Sequence, residues 1–440
     1  MSKTPPQSST PSTAAPAADA KGDAPSSPPP ANPGGLAGRQ AVLFSLMMSG
    51  AAAFILCGYE MFRSTANTLF MTAYGKKPLP LVMGLVPVGV TIALYIYGRL
   101  LSWLGPRRTL RVTTLGAMVT LVLCYLGVRA GIKPLRGALF VFKESYVVLL
   151  IEQIWSFINS RLSKEWARRL NGPICGIAGL GAMTGGELLY RLSGSWGTLH
   201  MLPIAAIVTL PGLILAEAAY RRYGEPKGDS KPHGISGYLG LDLFKTQRIL
   251  VVLIGLVACA QLIAAVGEQI FLRALQDEVP LPDRQNAISG RFYSLVNLVA
   301  LFGQFVLSPL ALRFLPLPAL HVIIPSIHIA AFAYFSLSPS LDRARLAYLL
   351  FKAIDYSLFR AAKELLYVPL SFDVRYRAKE VIDVLGYRFS KGAASLSIWA
   401  FQTAGIVLPS PTLAAVCMGG GALWLALVIP LTRIREARST

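Results

Sequence analysis

The chain is short of charge. Only 15% of its 440 residues are Asp, Glu, Lys or Arg, against about 25% in a typical soluble protein. It is equally short of metal-site chemistry. Four His form no HExxH, and the five cysteines (Cys57, Cys124, Cys175, Cys259 and Cys417) sit in apolar segments without close spacing, which argues against both metal centres and disulfides. No GxxxxGK[ST] loop is present to cradle the phosphates of an ATP-driven pump. No connection is long enough to hold a catalytic domain, and no nucleophile cluster stands near a membrane face. An enzyme is therefore not expected, nor any cofactor or metal. Residues 1–38 lack anything to bury: they are Pro, Ala and Ser, and read as a disordered tail. They have no apolar core of a signal peptide and no Arg of a transit peptide.

Apolar residues are abundant, 54% of the chain, and they come in blocks of roughly 20, the length that crosses a bilayer core as a helix. Twelve spans are expected, at about 41–62, 79–103, 110–130, 137–160, 172–192 and 199–220, then 248–273, 288–312, 318–338, 344–368, 381–406 and 411–432. The longest hydrophilic connection separates the sixth span from the seventh. The expected organisation is a tail (1–38), a six-helix half (39–223), a cytoplasmic linker (224–247) and a second six-helix half (248–440). With the N-terminus inside, inner connections carry twenty Lys and Arg and outer ones eight. The positive-inside rule then puts both termini in the cytoplasm, with a bacterial inner membrane as the default. The formal charge of +20 follows from this placement, so nucleic acid is not an expected partner; the lipid bilayer is.

The halves echo each other. "FKESYVVLLIE" (142–152) and "AKELLYVPLSF" (362–372) each put Lys-Glu inside an apolar span, Lys143-Glu144 and Lys363-Glu364, 220 residues apart. Each span is followed by a basic loop and a segment rich in small residues. "GYEMFR" (58–63) likewise matches "GEQIFLR" (267–273). Parallel six-helix repeats are the plan of the major facilitator fold, whose substrate lies between the halves near the midplane. "GRLLSWLGPRR" (98–108) partly fits that fold's loop between the second and third spans, with Ser102 in place of its Asp.

Sixteen charged residues fall within the spans, eight of each sign, including Glu60, Glu152, Lys352 and Asp355. A charge at mid-bilayer costs about 3 kcal/mol and so belongs beside a partner or a watery cavity. The glycines of "GPICGIAGLGAMTGG" (172–186) read as a close helix–helix packing surface.

The fourth span with "IWSFIN" (154–159), "RLNGPICGIAGLGAMTGG" (169–186) and "RYRAKEVIDVLGYRFSKGAASL" (375–396) together resemble the ATP:ADP antiporter family, the nucleotide translocases of plastids and intracellular bacteria. The resemblance implies a nucleotide exchanger whose membrane-embedded charges hold the substrate. Glu144, Glu268 and Lys391 match family positions. The family's "RDTKDTL" reads "RSTANTL" here (63–69), so Ala66 and Asn67 replace a Lys and an Asp, while Arg63 remains. The expected site is Arg63, Lys143, Glu144, Glu268, Lys363, Glu364, Asp383, Arg388 and Lys391. The cations would contact a small anionic substrate, of which ATP and ADP are the family's own. Gly392, Ala393 and Ala394 beside Lys391 are expected to leave it room. The carrier is expected to act as a monomer. Two alternatives stay open: a proton-coupled importer or exporter of a small organic anion, and a receptor or assembly factor on a carrier scaffold.

Overall fold

The structure is a computed structural model of the 440-residue chain and describes residues 36–225, 248–367, 382 and 386–439. The tail, most of the linker, Asp383 and most of the family-like stretch 375–385 lie outside the described residues. The described residues are helical almost throughout, with one isolated bridge between Leu36 and Leu162.

Among the described residues eleven helical stretches follow in order, one of them made of two helices joined across a kink. They are α1 (Gly38–Tyr74), α2 (Leu79–Arg129), α3 (Pro134–Arg161), α4 (Lys164–Trp196), α5 (Met201–Tyr223), α6 (Arg248–Glu278), α7 (Pro282–Phe314), α8 (Leu317–Leu337), α9, α10 (Tyr387–Thr403) and α11 (Ser410–Ser439). The ninth, α9, comprises Leu341–Ile354, a π-helical turn at Asp355–Phe359, and Arg360–Tyr367. The count is one fewer than the twelve spans read from the sequence, and α2 accounts for the difference. Its 51 residues would run about 75 Å as a straight rod, far more than a bilayer core of about 30 Å. At Gly105 the backbone turns to φ 75, ψ 169, a conformation glycine adopts freely. Pro106 then opens a second arm, where its missing N–H costs nothing. The arms lie side by side: Ile96 of the first and Thr113 of the second line one groove with Ser145 and Leu149 of α3.

Seven helices are long and apolar enough to cross a membrane by composition. Those that are not are α3, α4, α9 and α10, which are rich in charge or small residues or, for α10, 17 residues long. Three of these four wall the central cavity.

Alternate segments run in opposite directions. Leu36 N–H donates to the Arg161 carbonyl at 2.7 Å, so α1 starts where α3 ends; this is the terminal face. On the opposite face Lys76 pairs with Asp277. There, too, Asp283 Oδ1 accepts from Thr198 N and Oγ1 at 2.6 and 2.7 Å, and Gln276 donates to the Met71 carbonyl at 2.8 Å. Each of these contacts joins an early helix to a late one.

Buried apolar residues form two clusters. One draws on residues 41–220 and includes Phe157 stacked on Tyr220 at 3.6 Å between centroids. The other draws mainly on residues 249–431 and includes Phe271, Phe292, Tyr348 and Trp424. Phe70, Met71, Leu79 and Met83 of α1 and α2 join this second cluster, which seals the opposite face with apolar packing. Glycines set the closest helix approaches. A Cβ on Gly181 would meet the Ala53 carbonyl at 2.2 Å, and one on Gly186 the Gly290 carbonyl at 2.5 Å. The glycine run of α4 is thus a packing surface, as its composition implied.

Candidate functional site

The centre of the bundle holds a cavity of about 220 Å³ beside a smaller one of about 60 Å³. The first is walled by α2, α3, α6, α9 and α10, and the second reaches α1 and α7. Both are lined by Glu144, Glu268, Lys352, Tyr356 and Lys391.

Glu268 is the hub. It lies on α6 among small residues, Ala264, Ala265 and Gly267, which let other helices close in. Its Oε2 accepts from Lys391 Nζ of α10 at 2.7 Å, and its Oε1 lies 3.6 Å from Lys143 Nζ of α3. One carboxylate therefore serves two ammonium groups, one from each half. Lys143 is 1% exposed. It also donates to Asn67 Oδ1 and sits 3.7 Å from the Phe140 ring centre. Such saturation lets a buried cation remain charged. Asn67 stands where the antiporter family has Asp. Here it serves as a neutral acceptor for Lys143, while the adjacent Ala66 is fully buried.

Arg63 is placed differently. It pairs with Glu60, one turn back on its own helix, and its guanidinium stacks 3.5 Å from the centre of the Tyr293 ring. Tyr59, Tyr348 and Tyr356 complete that end of the smaller cavity.

Of the nine residues expected from sequence, six line these cavities: Arg63, Lys143, Glu144, Glu268, Arg388 and Lys391. Lys363 and Glu364 do not. Lys363 is buried with its Nζ 4.9 Å from the Tyr387 ring centre, so it touches the back of a cavity wall. Asp383 lies outside the described residues. The repeated Lys-Glu pairs also differ in depth. Lys143 lies nine residues into α3 and Lys363 twenty-two residues into α9, whereas Lys352 lies eleven residues in. Lys352, with Asp355 and Tyr356, is what α9 presents to the cavity. The spacing i, i+3, i+4 puts these three on one helix face, a signal present in the sequence but obscured by the more conspicuous Lys-Glu repeat. The tyrosines carried no such signal.

The room beside Lys391 also differs from expectation. A Cβ on Gly392 would lie 2.5 Å from Pro87 Cγ. The glycine is used to bring α10 against α2, and this approach holds Lys391 in reach of Glu268.

The cavities are lined by five basic groups (Arg63, Lys143, Lys352, Arg388 and Lys391) and three acidic ones (Glu144, Glu268 and Asp355), a formal excess of two positive charges. Such a lining attracts anions, and Lys and Arg donors bind phosphate or carboxylate through strong charge-assisted bonds.

Solved structures of transporters have a similar fold. The nucleoside transporter NupG matches with TM-score 0.63 at 12% identity, over 89% of this chain and 99% of that one. A D-xylose-proton symporter matches with TM-score 0.62 at 14% identity, over 88% and 96%. A POT family peptide transporter matches with TM-score 0.64 at 13% identity, over 90% and 97%. At these identities the likeness is one of fold. Residues 344–434 match the family described as TLC ATP/ADP transporter. The chain is a multi-pass membrane protein whose fold is similar to that of these transporters and which is similar to that family over residues 344–434. No curated protein matches it.

Proposed function

We propose that this chain is a secondary transporter of nucleotide-like anions working by alternating access. The observation that carries the reading is the Lys143–Glu268–Lys391 bridge, in which one carboxylate ties cations from the two halves across an otherwise positive cavity. An anionic substrate competes with Glu268 for the same ammonium groups. Binding therefore loosens the tie between the halves, which is the coupling a carrier needs. Arg63, Lys143, Arg388 and Lys391 contact substrate in this reading; Glu144 and Glu268 hold the cations when it is absent. Lys363 and Glu364 support the site from behind.

Both termini and the 224–247 linker are cytoplasmic, the two six-segment halves move about the central site, and the opposite face, sealed by the Lys76–Asp277 and Thr198–Asp283 contacts, is extracytoplasmic. The working unit is a monomer in a bacterial inner membrane. The test is uptake of labelled ATP, ADP and AMP into proteoliposomes with and without internal nucleotide. Saturable uptake of at least one of them supports the reading, and loss of all uptake with every anion tested refutes it.

Asp355 favours a second reading. It lines the cavity, and its Oδ1 has no hydrogen-bond partner among the described residues. A carboxylate so placed is suited to carry a proton, and the chain would then move a small organic anion with protons. Uptake driven by a pH gradient, with no counter-substrate inside, selects this alternative.

A further inference from the structure

Lys352 stands apart from most of the cavity's cations. Lys143 and Lys391 share Glu268, and Arg63 has Glu60. Among the described residues no carboxylate oxygen lies within 4.0 Å of Lys352 Nζ. Its one hydrogen bond there is to Tyr356 OH on its own helix, at 3.2 Å. Yet Lys352 is 9% exposed and lines both cavities. Arg388 of α10 is the other lining cation with no described carboxylate within 4.0 Å. No described carboxylate engages either side chain directly, so an anion in the cavity can bond to both without displacing one.

Two quantities limit which anion. The cavities hold about 220 and 60 Å³, below the roughly 300–1,000 Å³ of sites that enclose drug-sized ligands. The lining's formal excess is two positive charges before Glu60, the partner of Arg63, is counted, and a phosphate monoester already carries about −1.5 to −2 at neutral pH. Each further phosphate would bring charge that no lining cation is left to neutralise.

We propose that the site is built for a compact phosphate monoester, seated at Lys352 and Arg388, rather than for a nucleoside di- or triphosphate. The inference rests on the anion-transport reading above and narrows it. The monoester comes either as a nucleoside monophosphate or as a small phosphorylated metabolite.

The test is ligand binding to the full-length purified protein, read as thermal stabilisation and as competition, with inorganic phosphate, glycerol phosphate, AMP, ADP, ATP and succinate as probes. The expected result is that AMP or glycerol phosphate binds at least tenfold tighter than ADP and ATP. Lys352→Gln should weaken that binding at least tenfold, and Lys352→Arg should recover most of it. AMP far ahead of glycerol phosphate identifies the nucleoside source, and the reverse order the small metabolite. If ADP or ATP binds tightest, the monoester proposal is wrong and nucleotide transport survives. If succinate outranks every phosphate, both fail. Unchanged affinity in folded Lys352→Gln removes Lys352 from the seat. Should that variant not fold, the ranking on the wild-type protein still decides.

Discussion

The first helices of the two halves carry the same short pattern and use it in opposite ways. In α1, Glu60 of "GYEMFR" pairs with Arg63 three residues on in the same helix, and Arg63 also stacks on Tyr293 of α7. In α6, Glu268 of "GEQIFLR" ignores the Arg273 of its own motif. It reaches Lys391 and Lys143 on two other helices, while Arg273 turns to Gln269 and the Leu408 carbonyl. A charge pair within one helix stabilises that helix wherever the halves go. In the proposed transport cycle, a charge shared across the halves is broken and remade whenever they separate. On the proposed reading, the two carboxylates divide structure from coupling.

The contrast is broken most sharply by Glu268→Gln. Lys143, almost wholly enclosed, then keeps Asn67, the Phe140 face and the more distant Glu144, and both lysines lose their direct carboxylate partner. Removing one partner of a buried pair costs about 3–5 kcal/mol; the partial exposure of Lys391, 23% for its side chain, puts the expected loss at the lower end. Transport should fall at least a hundredfold, and the melting temperature should drop. The double variant Glu268→Gln/Lys143→Gln should melt higher than Glu268→Gln alone and still fail to transport. Equal melting of the two would show that Lys143 is not held by Glu268.

Gly392→Val comes next. Its side chain would run into Pro87, pushing α10 from α2 and Lys391 from Glu268. A loss of about tenfold in transport with near-normal expression is expected, measured as initial uptake rate per folded protein. A wild-type rate would mean that the close approach of α10 to α2 is dispensable.

Glu60→Gln sharpens the comparison from the other side. Arg63 keeps its stacking on Tyr293 and loses a charged hydrogen bond worth roughly 1.5–3 kcal/mol. Stability should fall, but transport per folded molecule should stay within threefold of wild type. A loss as deep as that of Glu268→Gln would erase the distinction between the two helices.

The smallest effect is expected at Lys76→Ala. Lys76 and Asp277 are each about half exposed, and exposed pairs contribute about 0–1 kcal/mol. Melting should barely move, and transport should change less than twofold. A larger change would make this pair a principal latch of the opposite face.

How much of this was legible in the sequence depended on the kind of signal. Apolar blocks located the helices, and hydrophilic connections located their ends. The join at Gly105 was marked as well: "LGPRRTLR" (104–111) separates the second and third spans, and the backbone turns there without a long loop. Lys143, Glu144, Glu268, Arg388 and Lys391 were legible because an ionisable residue in an apolar span needs a reason. That Glu268 would serve both Lys143 and Lys391 was not, since the link joins residues 125 and 123 positions apart and depends on three helices converging. The Lys-Glu repeat led towards Lys363 because sequence similarity does not record depth; Lys352 is the lysine of α9 that lines the cavity. Tyr59, Tyr293, Tyr348 and Tyr356 were hidden, because tyrosines in membrane helices are common as packing residues, and only the fold collects them around one cavity.

The most direct test of the central claim, that an anionic substrate is held by the cations Glu268 otherwise ties, is exchange by Lys391→Gln. The substitution keeps nearly the volume and a hydrogen-bond donor but removes the charge. Equilibrium exchange of the best-bound labelled phosphate compound would be measured in proteoliposomes containing equal amounts of folded wild-type and variant protein. The account predicts at least a tenfold loss of exchange, with substrate affinity reduced to match. Exchange at the wild-type rate with unchanged affinity would contradict it and return Lys391 to a purely structural role.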